Sequence, residues 1–161
     1  MLTLMQFPQK TKVALLGSLW FALVAGVCFP LVFAMLPHGG PQNLSQTGKG
    51  VLAGLQLFGL PAALAGAITG NRIYRAGSLM AFILGALTVV LTCLFSGLWM
   101  AIFNARVFNL RVIAEQAFVG GMGAIVIDLV FLRGVPFVLG GFAALAFRAL
   151  LFKFYENRHD R

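Results

Sequence analysis

Three observations predict that the chain is an all-α integral membrane protein with about five helices: long apolar stretches, very few charges, and polar residues confined to short connections. Val13–Leu36, Val51–Thr69, Gly77–Phe103, Leu110–Leu132 and Val135–Phe152 are unbroken enough to be helices, each near the length that crosses a hydrocarbon layer of roughly 30 Å. Of the 161 residues, 60% are hydrophobic and 10% charged, against roughly 25% charged in an ordinary globular domain. The longest polar stretch between spans is Pro37 to Gly50, and only Lys153 to Arg161 follows the last span. A single polytopic membrane domain over residues 1–161 is expected.

The first span opens after Pro8-Gln9-Lys10-Thr11-Lys12 and ends at Pro37-His38-Gly39-Gly40-Pro41, a cluster that cannot continue a helix. Pro30 removes one backbone bond and predicts a kink. Ala25-Gly26-Val27-Cys28 looks like a lipoprotein processing site, but Val27 is too large before the cysteine, and the span is too long for a cleaved signal.

The second span carries the clearest pattern. Gly50, Gly54, Ala62, Gly66 and Gly70 recur at four-residue spacing, with Gly59, Ala63 and Ala67 beside them. Residues four apart stack on one helical face, so another backbone can approach closely there. Gly59-Leu60-Pro61 predicts a second kink. Shorter echoes follow at Ala22 and Gly26, Ala81 and Gly85, Ala117 and Gly121, and Gly140 and Ala144, and Gly120 beside Gly121 belongs with these close-packing positions.

The third span, Gly77–Phe103, follows the Arg72 to Arg75 connection directly. After it, Ala117 to Phe152 is nearly all apolar; as one helix it would exceed roughly 50 Å, so it must turn. Leu132-Arg133-Gly134-Val135-Pro136 supplies that turn, with glycine where a helix stops and proline where the next begins. The two segments joined by Arg75-Ala76-Gly77 and by Arg133-Gly134 then read as related hairpins. A re-entrant segment, giving four crossings, is the alternative.

Charge placement bears on that choice. Five crossings with a cytoplasmic N-terminus put Lys10, Lys12, Arg72, Arg75 and Arg133 inside, five of the 12 cations. Four crossings with both ends inside give eight against four. The positive-inside rule favours four, and span length with turn chemistry favours five; the steric argument decides for five. The net charge of +8 is spread singly or in pairs beside the spans, the pattern of headgroup contact rather than of nucleic-acid binding.

No catalytic signature, metal site or cofactor motif is present. Cys28 and Cys93 sit alone in apolar spans, and His38 and His159 lie in distant polar flanks. The Gly120-Gly121-Met122-Gly123 run lies inside an apolar span and reads as helix contact, not a phosphate loop. Trp99, Tyr74 and Tyr155 fall near span ends, where amphipathic rings favour the headgroup layer, and Trp20 reads as core. The carboxylates of Glu115 and Asp128 alone fall within spans. An intramembrane carboxylate is a functional candidate, but the span limits place Asp128 within reach of Arg133 or of the Arg72 and Arg75 loop and Glu115 one turn after Arg111, so structural ion pairs are expected.

From these features the expected function is non-enzymatic. The protein is read as an accessory, assembly or structural subunit that packs through small-residue faces against a membrane-protein partner or another copy of itself. The lipid bilayer surrounds it, most naturally the bacterial cytoplasmic membrane. The alternative is a small transporter or channel using Asp128, with Asn104, Arg106 or Gln116 at an opening.

Overall fold

A computed structural model describes residues 9–34, 55–104, 109–130 and 132–156. The fold is all-helical. Helix α1 is Gln9–Ala34, a π-helical turn covers Leu55–Gly59, and α2 (Leu60–Arg75), α3 (Ser78–Asn104), α4 (Leu110–Val130) and α5 (Val135–Glu156) follow. Four of these, α1, α3, α4 and α5, are long and apolar enough to cross a membrane; α2 has 16 residues. Helix α1 passes through Pro30 without interruption. Pro61 has the stronger local effect: lacking an N–H and pressing on the carbonyl four residues back, it sits in the first turn of α2 directly after the π turn, where the backbone ladder is loosened.

Helix α1 runs antiparallel to α2, and their glycines allow backbone contact. A Cβ at Gly66 would stand 2.5 Å from the Gly17 carbonyl oxygen, and Gly70 faces Gly17 and Val13. The stripe's earlier members, Gly50 and Gly54, lie outside the described residues. Helix α2 returns antiparallel to α3 after the Arg75-Ala76-Gly77 connection. Their shared face buries Thr69 against Thr88, whose hydroxyl oxygens are 2.9 Å apart. The core beside it holds Val13, Phe21, Ala62, Ile73, Ala144 and Phe147.

Helix α3 is the axis of the molecule, because α4 and α5 both lie along it. Gly97 packs against the backbone at Ala117 and Gly121, and Leu94 against Gly121. Farther back along α3, Cys93 meets Asp128. Gly85 packs against Gly140 and Ala144, and Ser78 accepts a hydrogen bond from Arg148. In both sets the partner's number rises as the α3 number falls. Helices α4 and α5 therefore run in the same sense, antiparallel to α3, one along its C-terminal half and the other along its N-terminal half.

The expected second hairpin is thus not formed. The two helices scarcely touch each other, because separate glycine contacts hold each to its own half of α3. The step between them is closed on itself: Leu132 N–H donates to Ile127 O, Gly134 N–H to Asp128 O, and Val135 N–H to Leu132 O. Arg133 and Gly134 have φ of 51° and 73°, the left-handed turn that ends a helix. This turn offsets the chain sideways without reversing it.

Candidate functional site

The break between α4 and α5 opens onto a cavity of about 130 Å³. Helix α1 contributes Phe21, Val24, Ala25 and Cys28, the π turn Phe58, and α2 Ala62. Helix α3 contributes Thr88, Val89, Thr92 and Cys93, and Asp128, Pro136, Leu139 and Gly140 come from the two sides of the break. Most of the wall is apolar. The polar groups are one carboxylate, two hydroxyls and two thiols.

Asp128 occupies this site because of the tandem arrangement. A hairpin would have carried it toward an end of the bundle, whereas here it lies beside Cys93, near the middle of α3. The Cys93 thiol donates to its Oδ2 at 3.4 Å. Among the described residues Asp128 does not form the expected ion pair with Arg133, which is exposed. Among the described residues Oδ1 has no hydrogen-bond partner.

The hydroxyls are committed to their own helix. Thr92 Oγ1 donates to Thr88 O at 2.8 Å and Thr88 Oγ1 to Leu84 O at 2.7 Å. Thr69 Oγ1 also faces Ala65 O at 2.9 Å, so the two protons of Thr69 and Thr88 serve three short contacts. Helix α5 begins with its donors used or missing. Val135 N–H bonds Leu132 O, Phe137 and Val138 N–H both reach Gly134 O, and Pro136 has no N–H.

The other predicted residues lie apart from the cavity. Arg111 and Glu115 form an exposed pair at 3.1 Å near the start of α4. Gln116 is exposed on α4, while Arg106 and the side chain of Asn104 lie outside the described residues. Among the glycines, Gly66 and Gly70 meet α1, Gly121 with Gly120 meets Gly97, and Gly140 meets Gly85. Trp20 donates its indole N–H to Ala143 O at 2.9 Å and ties α1 to α5. Tyr74 stacks near Phe152, over which Arg148 also sits, and Trp99 pairs with Phe103. His38, His159 and Tyr155 fall outside the described side chains. Among the described residues, no three His, Cys, Asp or Glu side chains come together as a metal would require.

Sequence reasoning overlooked Thr88 and Thr92 and took Cys93 only as a lone cysteine in an apolar span. The signal available was the recurrence Thr88, Thr92, Ser96 at four-residue spacing in an otherwise apolar helix, which marks a polar line on one face. Ser96 continues that line, buried and with its hydroxyl unpartnered among the described residues.

Comparisons with protein-family models, with characterised proteins and with solved structures found no match to this chain.

Proposed function

We propose that the chain is a four-crossing membrane protein that passes a small cation through the cavity at the α4–α5 break. The observation that carries this reading is the shared direction of α4 and α5, which supports taking them as two parts of one interrupted crossing with a carboxylate at the interruption. Discontinuous helices beside a central cavity are a common way for membrane carriers to expose polar groups at depth, and a carboxylate there is costly enough to need a reason. The exposed Arg111–Glu115 pair stands in one headgroup layer and Arg148 with Lys153 in the other.

Charge asymmetry supports the same topology. Lys10, Lys12, Arg72, Arg75, Arg148 and Lys153 gather at the end where α1 starts, α2 stops and α5 finishes, and Arg158 and Arg161 follow in sequence. By the positive-inside rule that end faces the cytoplasm, as in a bacterial cytoplasmic membrane. The glycine faces that would have drawn a partner are instead used within the chain.

The test has two parts. Single cysteines at Gln9 and Lys153, in a background lacking Cys28 and Cys93, label from the same side with an impermeant thiol reagent, and one at Arg111 labels from the other. In liposomes, imposed ammonium, sodium or potassium gradients drive a flux that Asp128→Asn abolishes and Glu115→Gln leaves unchanged. Opposite-side labelling of Gln9 and Lys153, or flux no greater than in protein-free liposomes, overturns the reading.

One observation favours a second reading, a non-enzymatic subunit that packs on a membrane-protein partner or on its own copy. Helix α4 is held mainly by α3 and leaves Phe118, Val119, Val126, Leu129 and Val130 exposed. In this reading that face is covered by another protein rather than by lipid. A stoichiometric complex surviving mild detergent, lost on Val119→Lys, supports it.

A further inference from the structure

We infer that the cavity's ligand is a protonated primary or secondary amine with a short apolar tail. This rests on the carrier reading above and follows from counting donors and acceptors. Apart from the Cys28 thiol, a weak donor, the described polar groups at the cavity have spent their protons elsewhere. The Thr88 and Thr92 hydroxyls donate to backbone oxygens, and the Cys93 thiol donates to Asp128. What remains toward the cavity is Asp128 Oδ1 and the lone pairs of the threonine oxygens, all acceptors.

An anion would need donors, and the start of α5 is a poor source. A helix N-terminus ordinarily offers free N–H groups to an anion, but here Val135, Phe137 and Val138 are bonded within the turn and Pro136 has none to give. A bare alkali ion fits no better. It requires several oxygens around it, whereas most of this wall is carbon. An ammonium with N–H donors matches both features: charge and hydrogen bonds toward Asp128 and Thr92, and an alkyl tail against Phe21, Val24 and Leu139. Size limits the tail. An apolar cavity of roughly 150 Å³ takes benzene, so one of about 130 Å³ accepts an amine of five or six heavy atoms.

Calorimetric titration of the detergent-purified protein separates the requirements, with three probes of equal heavy-atom count. Butylammonium supplies charge and N–H donors, tetramethylammonium charge alone, and 1-butanol a donor without charge. Butylammonium binds; tetramethylammonium binds at least tenfold more weakly, the loss expected for about 1.5 kcal/mol of charged hydrogen bonding; and butanol gives no saturable signal. Asp128→Asn abolishes butylammonium binding. Thr92→Val, nearly the same shape with one acceptor removed, weakens it severalfold and guards against a folding artefact at Asp128.

Equal affinity for butylammonium and tetramethylammonium, or no butylammonium binding by a protein that shows Asp128-dependent cation flux, overturns the amine assignment while the carrier reading stands. Saturable butylammonium binding without flux keeps the ligand assignment and removes the carrier reading.

Discussion

Replacing Gly66 by alanine tests the α1–α2 contact on which one wall of the cavity depends. The added Cβ would lie 2.5 Å from Gly17 O, 3.0 Å from Gly17 C and 2.9 Å from the Phe21 ring. Carbon and its neighbours rest at roughly 3.5 Å or more, so α1 must retreat by about 1 Å. Two of the three opposing atoms are backbone, so a rotamer change at Phe21 cannot relieve the clash. The cost therefore belongs at the upper end of the overpacking range, about 2–3 kcal/mol. For a chain of this size each kcal/mol moves the midpoint by roughly 2–4 °C, which predicts a fall of about 4–12 °C in thermal unfolding followed in detergent. The matched control is Gly123→Ala, where nothing lies within 4 Å of the new Cβ; it is neutral or slightly stabilising through helix propensity. An unchanged midpoint for Gly66→Ala would refute the backbone contact and, with it, the argument that the chain uses its own glycine faces.

Other outcomes follow from single residues. Arg133 is a non-glycine residue with φ of 51°, so Arg133→Gly removes left-handed strain and raises stability by up to about 1 kcal/mol, read as a higher unfolding midpoint. A fall would mean that the Arg133 side chain makes an essential contact. Glu115→Gln breaks a pair whose side chains are 87% and 65% exposed, and it shifts unfolding by no more than a few tenths of a kcal/mol. The paired change Thr69→Val and Thr88→Val removes both ends of a buried contact and costs less than either single change, because each single change leaves one hydroxyl facing a methyl. A double mutant less stable than both singles would contradict that.

The helices were legible from the sequence, and their arrangement only in part. The second span continues past Thr69 to Arg75, and the connection from Pro37 to Gly50 lies outside the described residues. Apolar length and the punctuation at Arg75-Ala76-Gly77 and Arg133-Gly134 placed the helix starts at Ser78, Leu110 and Val135 within a residue, since such breaks depend on local backbone chemistry. What those residues do to chain direction is not local. Both connections contain Arg and Gly, yet the first reverses the chain and the second only offsets it. The difference lies in where the following helix finds its glycine contact: Gly140 docks at Gly85, far along α3 from the Gly97 site that Gly121 occupies. Pairing one glycine with another across some fifty residues is invisible to a periodicity argument. The same long-range contact sets the position of Asp128: it lies five residues before Arg133, and the docking of the two helices brings it beside Cys93 rather than Arg133.

The tandem helices also reconcile two arguments that disagreed in the sequence. Length required the chain to break near Arg133, while charge balance favoured both termini on one side. In the proposed four-crossing topology a break without reversal keeps both termini on one side, as the charge balance favours, and replaces one overlong helix by two offset ones. It requires that an irregular turn survive away from water, which is possible only when the turn satisfies its own backbone. The bonds from Leu132, Gly134 and Val135 to Ile127, Asp128 and Leu132 meet that condition, and Pro136 removes one donor that would otherwise need a partner. The same economy gives the cavity its chemical character. A turn that consumes its own N–H groups, beside threonines that donate to their own helix, leaves a surface of oxygen acceptors around one carboxylate, with the weak Cys28 thiol as the remaining donor. Charge of the opposite sign, carried on a group with hydrogens to give, is the complement proposed for such a surface.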